Sequence, residues 1–206
     1  MFAFLKQAAG DFTHTGAVLP SSRFLAKQMT ASLHAKEEPR RILEVGPGTG
    51  PFTKAILSTL RQGDDFHVVE INPAFCAHIE QTILQPYRIQ HPDHDVQLHE
   101  SPIQEANLEP GFDHIICGLP FNNFPLELVE LIFETMLGLL RPGGDLTYFE
   151  YAGLRRLKTP FVSRRERHRL SGISLVFANL ASKFSGSRKL VLSNVPPAFA
   201  IRLIKA

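Results

Sequence analysis

Short apolar runs alternate with amphipathic stretches along most of the chain. Residues 41–45, 66–71 and 114–119 are mainly apolar, residues 95–100 alternate between polar and apolar positions, and residues 145–151 form a fifth run. Each run has the length and composition of a β-strand. Strands that are separated by helical segments are typical of a mostly parallel sheet.

Helix-forming segments fill the gaps between these strands. The first runs from residue 51 to about residue 61. The second begins after Asn72-Pro73, a pair that suits an N-cap and a first helical residue, and runs to about residue 84. A longer amphipathic helix opens at Pro125 and is stopped by Arg141-Pro142-Gly143-Gly144. The alternation predicts a doubly wound α/β fold.

The last part of the chain breaks this alternation. Residues 189–195 and 198–204 are two apolar runs that only Pro196-Pro197 separates, so no helix fits between them. Two strands joined so closely pair as antiparallel neighbours. The sequence therefore predicts a seven-stranded, mostly parallel sheet with an antiparallel terminal strand pair.

Composition narrows the class of protein. The chain has 206 residues, of which 44% are hydrophobic and 20% charged, as in an ordinary globular domain. Cys76 and Cys117 are the only cysteines, so we expect no disulfide framework and a reduced, cytosolic location. No apolar run approaches the roughly 18 residues of a membrane-spanning helix. The first residues lack the features of a signal peptide.

Positive charge is concentrated in one segment. The formal net charge is +2, but residues 155–169 carry seven cations and one acid, Glu166, which leaves −4 for the rest of the chain. A block of this kind favours phosphate groups, either of a nucleic acid or of a lipid surface. A solvated loop with spare positive charge is the alternative. The cations are Arg155, Arg156, Lys158, Arg164, Arg165, Arg167 and Arg169.

The segment 44–50, EVGPGTG, carries the clearest functional signal. It follows the first predicted strand and precedes the first helix, where glycines let the backbone turn tightly and approach a ligand. Glu70 lies 20 residues after Gly50, at the end of the second strand. A carboxylate there accepts hydrogen bonds from both hydroxyls of a ribose. Together these features predict a nucleoside ligand at the carboxyl ends of the parallel strands.

This pattern resembles the Rossmann-like (class I) S-adenosylmethionine-dependent methyltransferases. The resemblance rests on EVGPGTGPFT at residues 44–53 and on VEIN at residues 69–72. It implies S-adenosylmethionine as cofactor, with the glycines against its methionine and ribose portions and the loop after the third strand around its adenine. The cofactor-binding residues expected on this basis are Glu44, Gly46, Gly48, Thr49, Gly50, Glu70, Ile71, Glu100, Ser101, Ile103 and Gly118.

The loop after the fourth strand, CGLPFNNFP at residues 117–125, resembles the substrate loops of two related families. The rRNA adenine dimethyltransferases begin this loop with Asn or Asp, whereas the bacterial phospholipid N-methyltransferases carry Gly-Leu-Pro. Adenine methylation needs a side-chain oxygen to hold the exocyclic amine, and residue 118 is glycine. Asn122 or Asn123 would substitute only through a rearranged loop. This difference favours the phospholipid family.

Two further segments are similar to the phospholipid family. TGAVLPSS at residues 15–22 resembles the segment ahead of that family's core, and residues 194–198 resemble its last strand pair. The rRNA enzymes carry a helical RNA-binding domain after the core, and we expect none here. The resemblance implies methylation of phosphatidylethanolamine or a related amine lipid. An rRNA adenine N6-methyltransferase and a non-catalytic S-adenosylmethionine-binding protein are the alternatives.

The resemblance and the position of the loop also imply catalytic residues. An amine with a pKa of about 10 must lose its proton before methylation, and desolvation between aromatic walls lowers that pKa. The candidate bases are His14 and Glu150. The candidate walls are Phe121, Phe124, Tyr148 and Tyr151. No metal site is expected. The expected catalytic set is Gly118, Leu119, Pro120, Phe121, Tyr148 and Tyr151.

The expected organisation is a single methyltransferase domain in four parts. Residues 1–36 form a helical lid or membrane-surface segment, 40–151 the cofactor-binding core, 152–187 a basic insertion and 188–206 the terminal strand pair. Within the insertion, residues 175–184 either enter the bilayer or pack on the protein. We expect a cytoplasmic monomer, peripherally associated with the inner face of the cell membrane through its basic block, with nucleic acid the less favoured partner.

Overall fold

Seven strands form one sheet, and the computed structural model describes residues 21–34, 39–152 and 164–206. The strands are β1 (Arg41–Val45), β2 (Asp65–Glu70), β3 (Asp95–Glu100), β4 (Phe112–Cys117), β5 (Leu140–Tyr151), β6 (Ser185–Val191) and β7 (Ala198–Ile204). Their order across the sheet is β3-β2-β1-β4-β5-β7-β6. β1 to β5 are parallel, and β7 is antiparallel to both its neighbours. The predicted α/β fold with an antiparallel terminal pair is confirmed.

Helices cover both faces of the sheet. They are α1 (Arg23–Met29), α2 (Pro51–Leu57), α3 (Pro73–Ile79), α4 (Gln85–Gln90), α5 (Leu126–Leu139) and α6 (Arg164–Lys183). Apolar side chains of α5 and α6 form one buried cluster with the strands. Those of α1, α2 and α3 form a second cluster on the opposite face. The sheet is thus buried on both sides, as its apolar strands require.

Side-chain caps begin two of the helices, and the one at Asn72 was predicted. The N–H of Leu25 donates to Ser22 Oγ at 3.2 Å, and the N–H of Ala74 donates to Asn72 Oδ1 at 2.9 Å. Each side chain satisfies a backbone donor that the first helical turn leaves free. The local sequence therefore fixes where α1 and α3 begin.

Four strands begin earlier than predicted, β2 and β4 by one and two residues and β5 and β6 by five and four. β5 begins at Leu140 rather than at residue 145, because Leu140 pairs with Phe112 before the register shifts and resumes at His114 and Asp145. β6 begins at Ser185 rather than at residue 189 and ends at Val191. The remaining residues of the predicted strand, 192–195, lie in the turn after β6.

The helical segment after β2 is longer than predicted. Instead of ending near residue 84, it continues from α3 through a π-helical turn, Glu80–Leu84, into α4. Pro86 lies in the first turn of α4. A proline in an ordinary helix interior lacks an N–H and clashes with the preceding turn. The wider π turn directly before it accommodates the proline without ending the helix.

Much of the predicted basic insertion forms α6. Ile173, Phe177 and Leu180 are buried against the sheet and α5, whereas Leu175 is 68% exposed. Of the two expectations for residues 175–184, packing on the protein is the one observed. Within the described residues, no helix is both long and apolar enough to cross a membrane. The proposed N-terminal segment before Ser21 lies outside the described residues.

Candidate active site

The carboxyl ends of β1, β2 and β4 meet at one edge of the sheet and enclose a pocket. Segments that are far apart in sequence meet here, as expected at the switch point of an open α/β sheet. The pocket also has an apolar wall made by Phe75, Phe124, Leu128 and Ile132. The predicted site residues that line it are Gly46, Gly48, Glu70, Ile71, Ser101, Ile103, Gly118, Leu119 and Pro120.

Three glycines shape the loop between β1 and α2. Gly46, Gly48 and Gly50 have φ angles of 70°, 58° and 84°, which other residue types adopt only at a cost. A Cβ at Gly48 would meet no atom within 4 Å, whereas a Cβ at Gly50 would lie 2.3 Å from Ile83 Cδ1. Gly48 thus leaves room for a ligand. Gly50 does not line the pocket, contrary to the prediction, and instead allows close packing on the helical segment after β2.

Glu70 ends β2 with its carboxylate fixed at the pocket. The N–H of Asn72 donates to Oε1 at 2.9 Å, and the N–H of Gly48 donates to Oε2 at 3.3 Å. Burial raises the pKa of Glu70, and these hydrogen bonds partly offset the rise. Each oxygen keeps a further lone pair, so the carboxylate can accept hydrogen bonds from two ribose hydroxyls.

Two buried polar groups of pocket residues have no partner in the part of the chain that the structure describes. There, neither Ser101 Oγ nor Gln104 Nε2 makes a hydrogen bond, although both residues line the pocket. Buried polar groups are nearly always hydrogen-bonded, so unpaired ones at a pocket indicate a ligand with matching groups. The nitrogens of an adenine ring offer such groups. The residues therefore fit S-adenosylmethionine, with Glu70 toward its ribose and Ser101 and Gln104 toward its adenine.

Glu44 differs from its predicted role. It is fully buried and does not line the pocket. No hydrogen bond of ordinary geometry from a described residue reaches either carboxylate oxygen. Burial and, to a lesser degree, the charge of Glu70 raise the pKa of Glu44 to about 8, although the hydroxyl of nearby Thr53 moderates the rise. The carboxyl group is therefore mainly protonated at neutral pH.

The substitution Glu44→Gln is expected to remove part of the pH dependence of stability. With a pKa of about 8 when folded and 4.5 when unfolded, Glu44 holds a proton that the unfolded chain releases. Stability therefore falls as the pH rises between these values. Because one pKa unit corresponds to about 1.4 kcal/mol, the wild-type melting temperature should fall several degrees further than that of the variant. Thermal melts from pH 5 to pH 8 test this, and parallel curves would contradict it.

Thr49 and Glu100, two of the predicted cofactor-binding residues, do not line the pocket. Both side chains are exposed, and Thr49 lines a groove between α1 and α2 instead. Successive residues of an extended segment face opposite ways, so Glu100 and Ser101 do not share a direction. Of this pair, Ser101 is the one at the pocket.

Gly118 lies at the end of β4, against the backbone of the glycine loop. Its N–H donates to Val45 O at 2.8 Å. A Cβ at this position would lie 2.4 Å from Gly46 O. Because the obstructing atom belongs to the backbone, no side chain fits at position 118 unless the glycine loop moves. This position therefore carries no side-chain oxygen for the amino group of an adenine.

Phe121 and Tyr148 do not line the pocket, contrary to their predicted role as its walls. Both are buried in an aromatic cluster with Phe133 and Phe177. The ring centroids of Tyr148 and Phe177 are 5.2 Å apart, and those of Phe121 and Phe133 are 4.6 Å apart. These rings stabilise the core under the substrate loop, and Phe124 is the predicted aromatic residue that reaches the pocket.

Tyr151 lies on the opposite face of the sheet from Tyr148. It packs on Phe149, with ring centroids 5.2 Å apart, beside the cluster of α1 and α2. Residues 148 and 151 are an odd number of positions apart on β5, and side chains alternate along a strand. The two tyrosines therefore do not wall one pocket.

Only one of the two predicted bases lies among the described residues. His14 lies outside the described residues. Glu150 is half-buried on β5, in register with Phe199, and does not line the pocket. Among the described residues, Glu70 is the only carboxylate that does.

Several pocket residues were not anticipated from the sequence. Phe75 lies in the first turn of α3. Leu128 and Ile132 are four positions apart on α5, so they share one helix face. The amphipathic pattern of α5 indicated an apolar helix face with both leucine and isoleucine on it. The same pattern is expected of a face that only packs on the core, so it did not identify a pocket wall. For Gln104, which follows β3, no sequence pattern gave a signal.

Arg169 of α6 binds the substrate loop. Its Nη2 donates to Asn122 O at 2.6 Å, and its Nη1 donates to Phe124 O. The guanidinium thus bridges two carbonyls of the loop and fixes the backbone at Phe124. Arg169 was predicted to contact external phosphates, but the protein uses this cation internally.

The other predicted cations divide into two groups. Arg164, Arg165 and Arg167 lie in the first turn of α6, where Arg167 is exposed. Arg155, Arg156 and Lys158 lie outside the described residues.

Arg169→Lys is expected to impair methyl transfer about tenfold or more while leaving cofactor affinity unchanged. Lysine keeps the charge but lacks the planar fork that bridges two carbonyls. Hydrogen bonds that involve a charged group contribute about 1.5–3 kcal/mol each. Steady-state kinetics and calorimetric S-adenosylmethionine binding measure the two effects, with Arg167→Lys as the matched control. Wild-type kinetics for Arg169→Lys would show that only charge matters here.

Known proteins share this sequence pattern and fold. Residues 43–146, just over half of the chain, match the family model described as the methyltransferase domain. An ornithine lipid N-methyltransferase from Singulisphaera acidiphila is 27% identical over 143 residues, which cover 69% of this chain and 73% of that protein.

Two solved structures are similar over nearly the whole chain. The O-methyltransferase from Bacillus cereus in complex with SAH has a TM-score of 0.64 and 18% identity and covers 99% of this chain and 90% of its own. TomG, an O-methyltransferase from Streptomyces achromogenes in complex with SAM, has a TM-score of 0.62 and 15% identity, with coverage of 98% and 89%. With the family match and the pocket, they identify the chain as a member of the methyltransferase domain family and an S-adenosylmethionine-dependent methyltransferase.

Proposed function

We propose that this enzyme methylates the amine of a membrane lipid, either phosphatidylethanolamine or a related amine lipid such as an ornithine lipid. The observation that carries the proposal is the contact between Gly118 and the Gly46 carbonyl, which leaves the substrate loop without a side-chain oxygen at that position. An adenine amino group would lack its acceptor there. The ornithine lipid N-methyltransferase relative supports the same substrate class.

The pocket's apolar wall suits an amine substrate. Bound S-adenosylmethionine supplies an electrophilic methyl group on a sulfonium, so the protein must position and desolvate a neutral amine. Phe75, Phe124, Leu128 and Ile132 disfavour a charged ammonium beside them, which lowers the amine's pKa and frees its lone pair. The aromatic rings of Phe75 and Phe124 then stabilise the positive charge of the methylated product.

The lipid substrate requires contact with a membrane. We propose that the enzyme works as a monomer at the cytoplasmic face of the cell membrane, where anionic lipids attract basic segments. The cations that serve this contact are Arg155, Arg156, Lys158, Arg164, Arg165 and Arg167.

Transfer of label from methyl-labelled S-adenosylmethionine tests the substrate class. Purified protein is incubated with vesicles that contain phosphatidylethanolamine or an ornithine lipid, each with an anionic lipid, and in parallel with unmodified rRNA. Label in either lipid supports the proposal if Glu70→Ala abolishes it and Glu100→Ala does not. Label in RNA would overturn the proposal, and so would label in neither lipid from protein that binds the cofactor.

A further inference from the structure

An open groove with a basic lining lies between α1 and α2. Arg23 and Lys27 of α1 face Lys54 of α2 across it, and none of the described residues that line it is a carboxylate. All three cations are exposed, and none forms an ion pair with a residue that the structure describes. The groove is separate from the pocket at the ends of β1, β2 and β4.

The arrangement of these cations favours an anionic ligand. Arg23 and Lys27 are four residues apart and therefore lie on the same face of α1, where like charges repel. Lys54 adds a third positive charge from the opposite wall. The hydroxyl of Thr49 and the imidazole of His34 supply further polar groups along the groove. A phosphate diester would relieve the repulsion and accept hydrogen bonds from several of these donors.

Exposed apolar side chains lie beside the groove. Phe24 follows Arg23 on α1 and is 47% exposed, with the Arg23 guanidinium 5.0 Å from its ring centroid. In the turn after β6, Leu192 and Val195 are 72% and 67% exposed. The N–H of Ser22 donates to Asn194 Oδ1 at 2.9 Å, which ties this turn to the start of α1.

The apolar side chains lie at the same edge of the sheet as the active site. The turn after β6 leads into Ala198, which pairs with Tyr151 at the carboxyl end of β5. β5 runs parallel to β4, whose carboxyl end leads into Gly118. A membrane bound at this turn and at the start of α1 would therefore approach the protein from the edge of the sheet that holds the pocket.

We propose that the α1–α2 groove and its apolar neighbours form a docking surface for an anionic membrane. Lipid phosphates bind among Arg23, Lys27 and Lys54, while Phe24, Leu192 and Val195 enter the interface between head groups and acyl chains. Cations flanked by exposed apolar side chains suit a bilayer better than a soluble anion, which offers nothing to the apolar part. The docking surface deepens the proposed function, because a lipid substrate explains why the enzyme would bind a membrane. Membrane binding itself does not depend on that function.

Vesicle binding without methyl transfer tests the docking surface. The full chain is sedimented with vesicles of phosphatidylcholine alone and with vesicles that also contain phosphatidylglycerol. Each cation near an anionic surface contributes roughly fivefold to affinity. The triple variant Arg23→Gln, Lys27→Gln, Lys54→Gln should therefore lose on the order of a hundredfold toward the anionic vesicles.

A charge-matched control separates the groove from the net charge of the protein. Gln81→Glu, Gln85→Glu and Gln90→Glu place the same change of three charges on exposed positions of the helical segment after β2, away from the groove. This variant should retain most of the vesicle affinity. Phe24→Ser with Leu192→Ser tests the apolar part and should weaken binding to vesicles of either composition. Circular dichroism and S-adenosylmethionine binding confirm that each variant is folded.

Several results would overturn the docking surface. One is undiminished binding of the triple variant to anionic vesicles, and another is an equal loss of vesicle binding in the charge-matched control. Full displacement of the wild-type protein from the vesicles by millimolar inorganic phosphate would show that the groove binds a soluble anion. A triple variant that loses affinity for RNA but not for vesicles would show that the groove binds nucleic acid. The proposed function is measured separately, as methylation of amine lipid in neutral detergent micelles, where the triple variant should keep its activity. If no lipid is methylated in the micelles, the proposed function fails, whereas the vesicle result still decides the docking surface.

Discussion

Glu70→Ala is expected to reduce S-adenosylmethionine affinity by a factor of about a hundred or more. The carboxylate is the acceptor available to the ribose hydroxyls, and each hydrogen bond to a charged group contributes about 1.5–3 kcal/mol. The same carboxylate also accepts the N–H groups of Gly48 and Asn72, so its removal frees the glycine loop. Isothermal titration calorimetry measures the loss.

Glu100→Ala is the matched control for this experiment. Glu100 is also a carboxylate at the end of a strand in the same sheet, but it is exposed and outside the pocket. Its removal should leave cofactor affinity within about a factor of two. Equal losses in both variants would show that general negative charge, and not the position of Glu70, determines binding.

Gly118→Ala is expected to lower methyl transfer by about a hundredfold or more and to destabilise the protein. The added methyl group would lie 2.4 Å from Gly46 O, so the strand end or the glycine loop must move. Overpacking of this kind costs about 1–3 kcal/mol. The displacement would fall between the glycine loop and the substrate loop. Small changes in the relative position of the two bound reactants strongly reduce the rate of transfer. Single-turnover kinetics and thermal melts measure the two effects.

Gly138→Ala provides the opposite outcome from the same chemical change. Gly138 lies within α5, and a Cβ there would meet no atom within 4 Å. Alanine in a helix is more stable than glycine by about 1 kcal/mol, so this variant should melt at a higher temperature and keep its activity. A Gly118→Ala enzyme with normal activity would contradict the tight approach of the two loops.

The close approach of position 118 to the Gly46 carbonyl also determines the result expected for Gly118→Asn. An asparagine would supply the oxygen that adenine methylation requires, yet its Cβ meets the same carbonyl as that of alanine. The variant is therefore expected to lose lipid methylation without gaining methylation of rRNA. Gain of label in RNA would show that the glycine loop moves more readily than the structure indicates.

The core of the fold was predictable because it depends on local patterns. Apolar runs indicated the strands, and the glycine loop with Glu70 indicated the carboxyl ends where the structure has its pocket. The aromatic walls were wrong because a list of nearby aromatic residues ignores the direction of each side chain. The alternation along β5 already separates Tyr148 from Tyr151. For Phe121, the buried cluster with Phe133 and Phe177 involves contacts between distant segments that no local pattern contains.

The clustering of cations along the sequence was the least reliable guide to the binding surfaces. A count of cations groups Arg169 with its neighbours, although its guanidinium serves two backbone carbonyls of the substrate loop. The groove between α1 and α2 shows the reverse case. Its three cations are spread over two helices that are far apart in sequence, so no window along the chain reveals them. Only the packing of α1 on α2 brings them together.

The position of β7 has a consequence for synthesis on the ribosome. β7 follows β6 in the chain but lies between β5 and β6 in the sheet. Until residues 198–204 have left the exit tunnel, β5 has one unpaired edge, and β6 has no partner to pair with. Exposed strand edges are sites of aggregation. The nascent chain therefore completes this sheet only after β7 has been synthesised, and the edge of β5 stays open to other strands until then.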